Sequence, residues 1–161
     1  KPMGVVKFIE DTDGDGRYDK ATVFAEGLSF PNGLIPWKKG LIISASPDIL
    51  YAEDTNGDGR ADRIEKLFSG FRVWNQQHLC NGFDYGLDNW LYGANGDSGG
   101  LVTSAKTGDK VSISGRDFRF RPDTGEFEAI EKISVQKNCN LQFQQQSVPP
   151  GPSAPKASNA S

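Results

Sequence analysis

One acidic segment occurs twice in this chain, and it constrains both the fold and the chemistry. Residues 11–17 read Asp-Thr-Asp-Gly-Asp-Gly-Arg, and residues 54–60 read Asp-Thr-Asn-Gly-Asp-Gly-Arg. An apolar run rich in β-branched and aromatic residues stands on each side of both copies, as expected for two strands joined by a loop. A strand–loop–strand unit that returns after about 40–50 residues is typical of repetitive β architectures.

Other segments repeat with it. Asn32-Gly33-Leu34 corresponds to Asn81-Gly82-Phe83, and residues 43–48 correspond to residues 92–97. A third strand pair, at residues 118–121 and 126–130, is joined by an ordinary Pro-Asp-Thr-Gly turn. About four strands per unit is the size of a β-propeller blade. We therefore predict an all-β fold, a partial propeller of roughly two to three blades, over residues 1–135.

The repeats also reveal an insertion in residues 71–78, which contain the only histidine of the chain, His78. Insertions in repeat proteins are usually loops on one face, often the binding face. Asp97 follows the strand that returns antiparallel, so the two side chains can lie side by side. A carboxylate beside an imidazole fixes its tautomer, as a general base requires. The alternative is a surface or structural histidine next to a plain turn at residues 95–100.

The acidic segments match the spacing of calcium ligands, which fall at loop positions 1, 3, 5, 7, 9 and 12. In the second loop these positions are Asp54, Asn56, Asp58, the carbonyl of Arg60, Asp62 and Glu65. In the first loop they are Asp11, Asp13, Asp15, the carbonyl of Arg17, and Asp19. Two alternatives remain open. Asp and Gly form turns without any ion, and the flanking segments predict strands instead of the helices of an EF-hand.

Composition and charge exclude several classes of function. The net charge is −3 and the cations form no stripe, so nucleic acid is not an expected partner. No apolar run approaches the ~20 residues that span a bilayer. Calcium loops favour a periplasmic or other extracytoplasmic location. From about residue 136 the composition turns to Gln, Ser, Pro and Ala, which predicts a low-complexity, disordered tail at residues 136–161. A disulfide between Cys80 and Cys139 is left open, and Cys80 is interpreted as a buried structural thiol.

The segment from His78 through Asn81-Gly82-Phe83, residues 86–92 and residues 95–97 resembles the soluble PQQ-dependent glucose/sorbosone dehydrogenases, which are six-bladed propellers. Residues 5–130 as a whole look like the propeller of membrane-bound dehydrogenases of planctomycetes and verrucomicrobia. Acidic blade hairpins, an Asp-Asn-Trp-Leu-Tyr-Gly-Ala-Asn-Gly-Asp segment and an Arg-Phe-Arg-Pro-Asp-Thr-Gly-Glu-Phe-Glu segment characterise that family, and all occur here.

The resemblance implies that His78 takes a proton from a sugar or alcohol hydroxyl while hydride passes to C5 of pyrroloquinoline quinone (PQQ), and that Asp97 orients His78. Later blades would hold the quinone and its calcium. Full-length relatives often carry a cytochrome c domain, but no Cys-x-x-Cys-His occurs here. Gly86-Leu87-Asp88 also departs from the Gly-Pro-Asp of the soluble enzymes. We expect the fragment alone to be inactive. The alternative is a non-enzymatic, calcium-stabilised propeller that binds carbohydrate or protein.

Overall fold

The computed structural model describes residues 2–74 and 78–130, which form twelve strands and no helix. The predicted all-β class is confirmed, and none of these residues belongs to a helix that could cross a membrane. The predicted tail and Cys139 lie outside the described residues. The strands are β1 (Gly4–Glu10), β2 (Lys20–Leu28), β3 (Pro31–Trp37), β4 (Gly40–Ala45), β5 (Asp48–Glu53), β6 (Arg63–Phe71), β7 (Asn81–Tyr85), β8 (Leu91–Ala94), β9 (Gly100–Ser104), β10 (Lys110–Ser112), β11 (Asp117–Arg121) and β12 (Glu126–Ile130).

The strands form three antiparallel sheets. β1 and β2 pair with each other, six strands follow the order β10-β9-β6-β5-β4-β3, and four follow the order β12-β11-β8-β7. The three predicted hairpins are β1–β2, β5–β6 and β11–β12, so the sequence located each of them correctly. The matching Asn-Gly segments lie in β3 and β7. β3 begins the first unit, which is the four consecutive strands β3–β6 of the six-stranded sheet, and β7 begins the second unit, which is the sheet of β7, β8, β11 and β12.

One hairpin was not predicted. β9 and β10 interrupt the second unit between β8 and β11, and β9 pairs with β6 of the first unit. Two glycines allow this close approach. A Cβ added to Gly70 would lie 2.1 Å from the carbonyl oxygen of Leu101, and one added to Gly100 would lie 2.4 Å from that of Gly70. The inserted hairpin therefore covers the outer edge of β6.

β3 and β7 lie side by side and run in the same direction. At one end, Gly33 approaches Asn81, with 3.4 Å between an added Cβ and the Asn81 Cα. At the other end, the Tyr85 hydroxyl donates to the carbonyl of Pro36. The two units are thus aligned, and the turns of both fall at two common ends. Residues 72–74, 78–80 and 95–99 lie at one, the His78 end; the acidic loops and the β11–β12 turn lie at the other, the acidic-loop end.

The core between the two units is largely aromatic. Phe118 and Phe120 are two residues apart on β11, so their side chains lie on the same face of the sheet, and both are fully buried. Phe118 stacks on Phe127 with ring centroids 5.1 Å apart, and Phe68 and Phe120 meet edge to face at 5.3 Å. Gly93 leaves room for Phe118, whose Cζ would lie 2.3 Å from a Cβ at that position. This packing holds β8 against β11, and β8 leads into the loop that contains Asp97.

Candidate functional site

The structure brings His78 and Asp97 together at the His78 end. β7 pairs with β8, with Asn81 opposite Ala94, so the loop before β7 and the loop after β8 are neighbours. His78 Nδ1 hydrogen-bonds to a carboxylate oxygen of Asp97. Both side chains stay open to solvent, at 39% exposure for His78 and 59% for Asp97. The contact that strand geometry predicts is therefore present on an accessible rim.

Two buried residues beside Asp97 hold its loop, and the sequence analysis did not single them out. Ser98, 2% exposed, donates its hydroxyl to the backbone carbonyl of His78. Asn95, 1% exposed, donates its side-chain amide to the carbonyl of Ile113 at 3.2 Å. Its backbone N–H donates to the Asp117 carboxylate at 3.1 Å. The loop is thus fixed on both sides of Asp97, although its sequence alone is that of a turn.

This arrangement has a defined chemical capacity. An Nδ1–H that donates to the Asp97 carboxylate leaves the lone pair of Nε2 of His78 as the proton acceptor. The exposed ring can meet a hydroxyl of a small molecule arriving from solvent. Trp74, in the same loop, exposes 76% of its surface, and Phe30 exposes 43% in the loop before β3. The His78 end therefore carries an imidazole paired with a carboxylate, together with large exposed aromatic side chains.

The first acidic loop folds around Asp11. Its two carboxylate oxygens accept the backbone N–H of Gly14 at 2.7 Å and of Gly16 at 2.8 Å. Carboxylate oxygens of Asp11, Asp13 and Asp15 lie within 4.8 Å of one another. The amide of Gly16 is the main reason that the pKa of Asp11 lies below its ordinary value. Three carboxylates are therefore held close together at the start of the loop.

The second acidic loop repeats this conformation. Asp54 accepts the backbone N–H of Gly57 at 2.7 Å and of Gly59 at 2.8 Å, and the Gly59 amide is the main reason for its lowered pKa. Asn56 takes the position of Asp13 and accepts the N–H of Asp58 at 2.9 Å. The same sequence pattern thus gives the same turn in both hairpins.

The ninth residue of each loop folds back onto the second. Asp19 accepts the N–H of Thr12 at 3.1 Å and its hydroxyl at 2.7 Å. Asp62 accepts the same two groups of Thr55 at 2.8 Å and 2.6 Å. The threonine hydroxyl is the largest cause of the lowered pKa of both aspartates. Each loop is thus tied end to end.

The remaining predicted calcium ligands make other contacts. Glu65 lies in β6 and accepts two hydrogen bonds from Arg63, at 2.9 Å and 2.7 Å. The Glu65 carboxylate is therefore hydrogen-bonded to Arg63, two residues away on the same strand. Arg17 and Arg60, whose carbonyls were predicted as ligands, donate their backbone N–H to Asp15 and Asp58, each at 2.8 Å.

A groove of about 970 Å³ lies at the acidic-loop end, away from His78. Trp37 and Tyr51 meet there edge to face at 5.1 Å. Lys38 pairs with Asp123 across it. Other charged residues that line it are Lys39, Glu53, Arg63, Glu65, Lys66 and Lys106. The groove and the histidine are therefore separate features.

Comparison with known proteins gives one match. No curated protein and no solved structure matches the chain. A family model described as a domain of unknown function, DUF7133, matches residues 1–147, which include every described strand. The chain belongs to the DUF7133 family.

Proposed function

We propose that the three sheets are parts of a β-propeller. β3–β6 would form one complete blade, and β7, β8, β11 and β12 a second, with the β9–β10 hairpin inserted. β1–β2 would be the outer half of a third. The parallel, adjacent course of β3 and β7 supports this proposal, because the first strands of neighbouring blades line a common axis. Closed propellers have at least about four blades, so other blades would complete the ring.

We infer that this propeller oxidises a sugar or an alcohol at the His78 end. The observation that carries the inference is the hydrogen bond between His78 Nδ1 and Asp97, on an exposed rim loop. Nε2 of His78 would accept the substrate hydroxyl proton as the carbon loses hydride. Asp97 would hold the ring in the required tautomer and stabilise the imidazolium that forms. The exposed indole of Trp74 offers an apolar surface on which a sugar ring can stack.

The resemblance to the soluble dehydrogenases makes PQQ the expected hydride acceptor. A quinone with three carboxylates requires cations beside the base. Arg72 is a single cation in the loop at the His78 end, whereas Lys38, Lys39, Arg63, Lys66 and Lys106 line the groove at the opposite end. These residues do not fit the cofactor, so we derive no step through it. The function proposed for this chain is to supply and orient the base.

We propose that calcium binds the two acidic loops and stabilises the hairpins. The clustered carboxylates of Asp11, Asp13 and Asp15 support this, because hard oxygen donors suit Ca²⁺. Asp54, Asn56 and Asp58 offer the corresponding oxygens in the second loop.

A second candidate function follows from the two matching loops. A calcium-stabilised propeller that only binds carbohydrate or protein would need them and would not need the base.

The deciding experiment is a dye-linked oxidation assay of the full-length protein with aldoses and alcohols, in the presence of PQQ and Ca²⁺. Loss of a general base costs typically 10²–10⁴-fold in rate. We expect a loss of this size in His78→Gln, and a loss in Asp97→Asn. Asp109→Asn is the matched control, since Asp109 is an exposed aspartate in the β9–β10 turn. Ligand binding without turnover in the wild-type protein would favour the non-enzymatic candidate.

A further inference from the structure

We propose that Ser98 is the positioning residue that sets the orientation of His78 relative to Asp97. Its hydroxyl donates to the backbone carbonyl of His78, and the preceding residue, Asp97, binds the ring of the same histidine. Two consecutive residues thus hold one histidine at two points, its backbone and its imidazole. The catalytic meaning of this contact rests on the proposed function, but the orientation itself can be measured without turnover.

Contacts to both the backbone and the ring of His78 restrain the orientation of the imidazole more than a contact to the ring alone. A carboxylate that meets only Nδ1 leaves the histidine backbone free to shift, and the ring can then turn away. The second contact removes that freedom, because the carbonyl of His78 is fixed against the loop that carries the carboxylate. A further hydrogen bond joins the same two loops: the N–H of Arg72 donates to the carbonyl of Gly99 at 3.2 Å.

The neighbours of Ser98 make the contact stiff. Ser98 is 2% exposed, so water does not compete for its hydroxyl. Asn95 anchors the start of the loop through Ile113, as described above. Gly96 has a φ of 59°, and a Cβ added there would lie 3.7 Å from the Cβ of His78. The turn therefore passes close behind the imidazole and presents Asp97 to it.

A serine in this place has a purely structural alternative, namely that its hydroxyl only satisfies a buried carbonyl. That role predicts a change in stability when Ser98 is replaced, with the imidazole unaffected. A positioning role predicts that the imidazole itself responds. The single histidine of the chain makes this distinction measurable, because one pair of imidazole ¹⁵N resonances reports on His78 alone.

The test is a long-range ¹H–¹⁵N correlation spectrum of the ¹⁵N-labelled 161-residue chain, in alkaline buffer where an ordinary imidazole is neutral. We expect the wild-type ring to be in the Nδ1–H form, with widely separated nitrogen shifts. Ser98→Ala is expected to move the two shifts towards each other as the tautomers mix, and Ser98→Thr, which keeps the hydroxyl, to restore the separation. Ser104→Ala is the matched control, because Ser104 is an equally buried serine on β9 without contact to His78.

Each outcome decides the proposal. Wild-type shifts in a folded Ser98→Ala chain would overturn it, and so would an equal change in Ser104→Ala, which would indicate general loosening. Should Ser98→Ala not fold, Ser98→Cys gives the reading, since its thiol is only a weak donor: nitrogen shifts that move towards each other would support the proposal, and wild-type shifts would overturn it. If Ser98→Cys also fails to fold, Ser98 is a folding residue and the proposal is wrong. An intact tautomer together with an inactive full-length protein would refute the proposed function and leave the positioning role standing.

Discussion

Replacing Gly70 by alanine tests whether β9 of the β9–β10 hairpin pairs closely with β6. Gly70 has a φ of 116°, a conformation that residues with a Cβ rarely adopt. The added Cβ would lie 2.1 Å from the carbonyl oxygen of Leu101 and 3.0 Å from its carbonyl carbon. Both neighbours are backbone atoms, so no side chain can turn away to make room. The two strands must separate, or the bulge in β6 must rearrange.

The cost follows from these two effects. A backbone held in a sparsely populated φ region costs of order 1–3 kcal/mol, and forcing extra atoms into a packed region costs typically about 1–3 kcal/mol. We expect Gly70→Ala to lower the free energy of unfolding by about 4 kcal/mol in total. Gly108→Ala is the matched control. Gly108 lies in the turn of the same hairpin with a φ of 77° and nothing within 4 Å of an added Cβ. Only the left-handed conformation is penalised there, by about 1–2 kcal/mol.

Urea unfolding of the 161-residue chain measures both variants against the wild type, and hydrogen exchange of the β9 amides locates the change. The free energies of unfolding of Gly70→Ala and Gly108→Ala should differ by about 2–3 kcal/mol. Faster exchange should be confined to β9, β10 and the end of β6. Because β9 directly follows the loop of Asp97, Gly70→Ala should also disturb the imidazole shifts of His78. Equal stability of Gly70→Ala and Gly108→Ala would refute the β6–β9 pairing as the structure has it.

Other perturbations test the loops, the core and the rim. Ca²⁺ at about 100 times its dissociation constant should add about 2.7 kcal/mol to the free energy of unfolding for each loop that binds it, measured by thermal melts. Asp54→Ala should lower that gain, and Mg²⁺ serves as control. Because the pKa of Asp19 is lowered from 3.8 in the folded chain, its stabilising contribution should be present above that pH and disappear as pH falls through the folded value, as acid melts would report. Burial raises the pKa of the Cys80 thiol to about 12, so in a Cys139→Ser chain iodoacetamide should react with it only after unfolding, as mass spectrometry would detect. Trp74→Ala should weaken sugar binding by the full-length protein roughly 10-fold in calorimetry, as expected for the loss of about 1.4 kcal/mol.

The sequence predicted what depends on residues close in the chain. All three hairpins were located because alternating apolar residues and a Gly-rich connection are local features. The acidic loops took the expected tight turn because Asp11 and Asp54 each accept N–H groups three and five residues later. The meeting of His78 and Asp97 was also predictable, since both residues flank strands that pair with each other.

What depends on distant residues was not predicted. β9 and β10 have few apolar residues, and β10 is only three residues long. Nothing local indicates that Gly100 and Gly70 allow two strands from different units to pair. Ser98 and Asn95 stand in a segment that any exposed turn could contain, and their importance depends on burial by neighbouring loops. Such contacts become visible only when the whole fold is known.

Glu65 shows why ligand spacing has to be interpreted together with the flanking structure. The twelve-residue calcium pattern assumes a helix after the loop, which turns the last residue back towards the ion. A strand follows here, and its period of two places Glu65 on the same face as Arg63, which binds it. The side chain that does return to the start of the loop is Asp62, through Thr55. In both of these loops the aspartate at position 9 therefore closes the turn, and in the second loop Glu65, at position 12, pairs with its neighbour in the sheet.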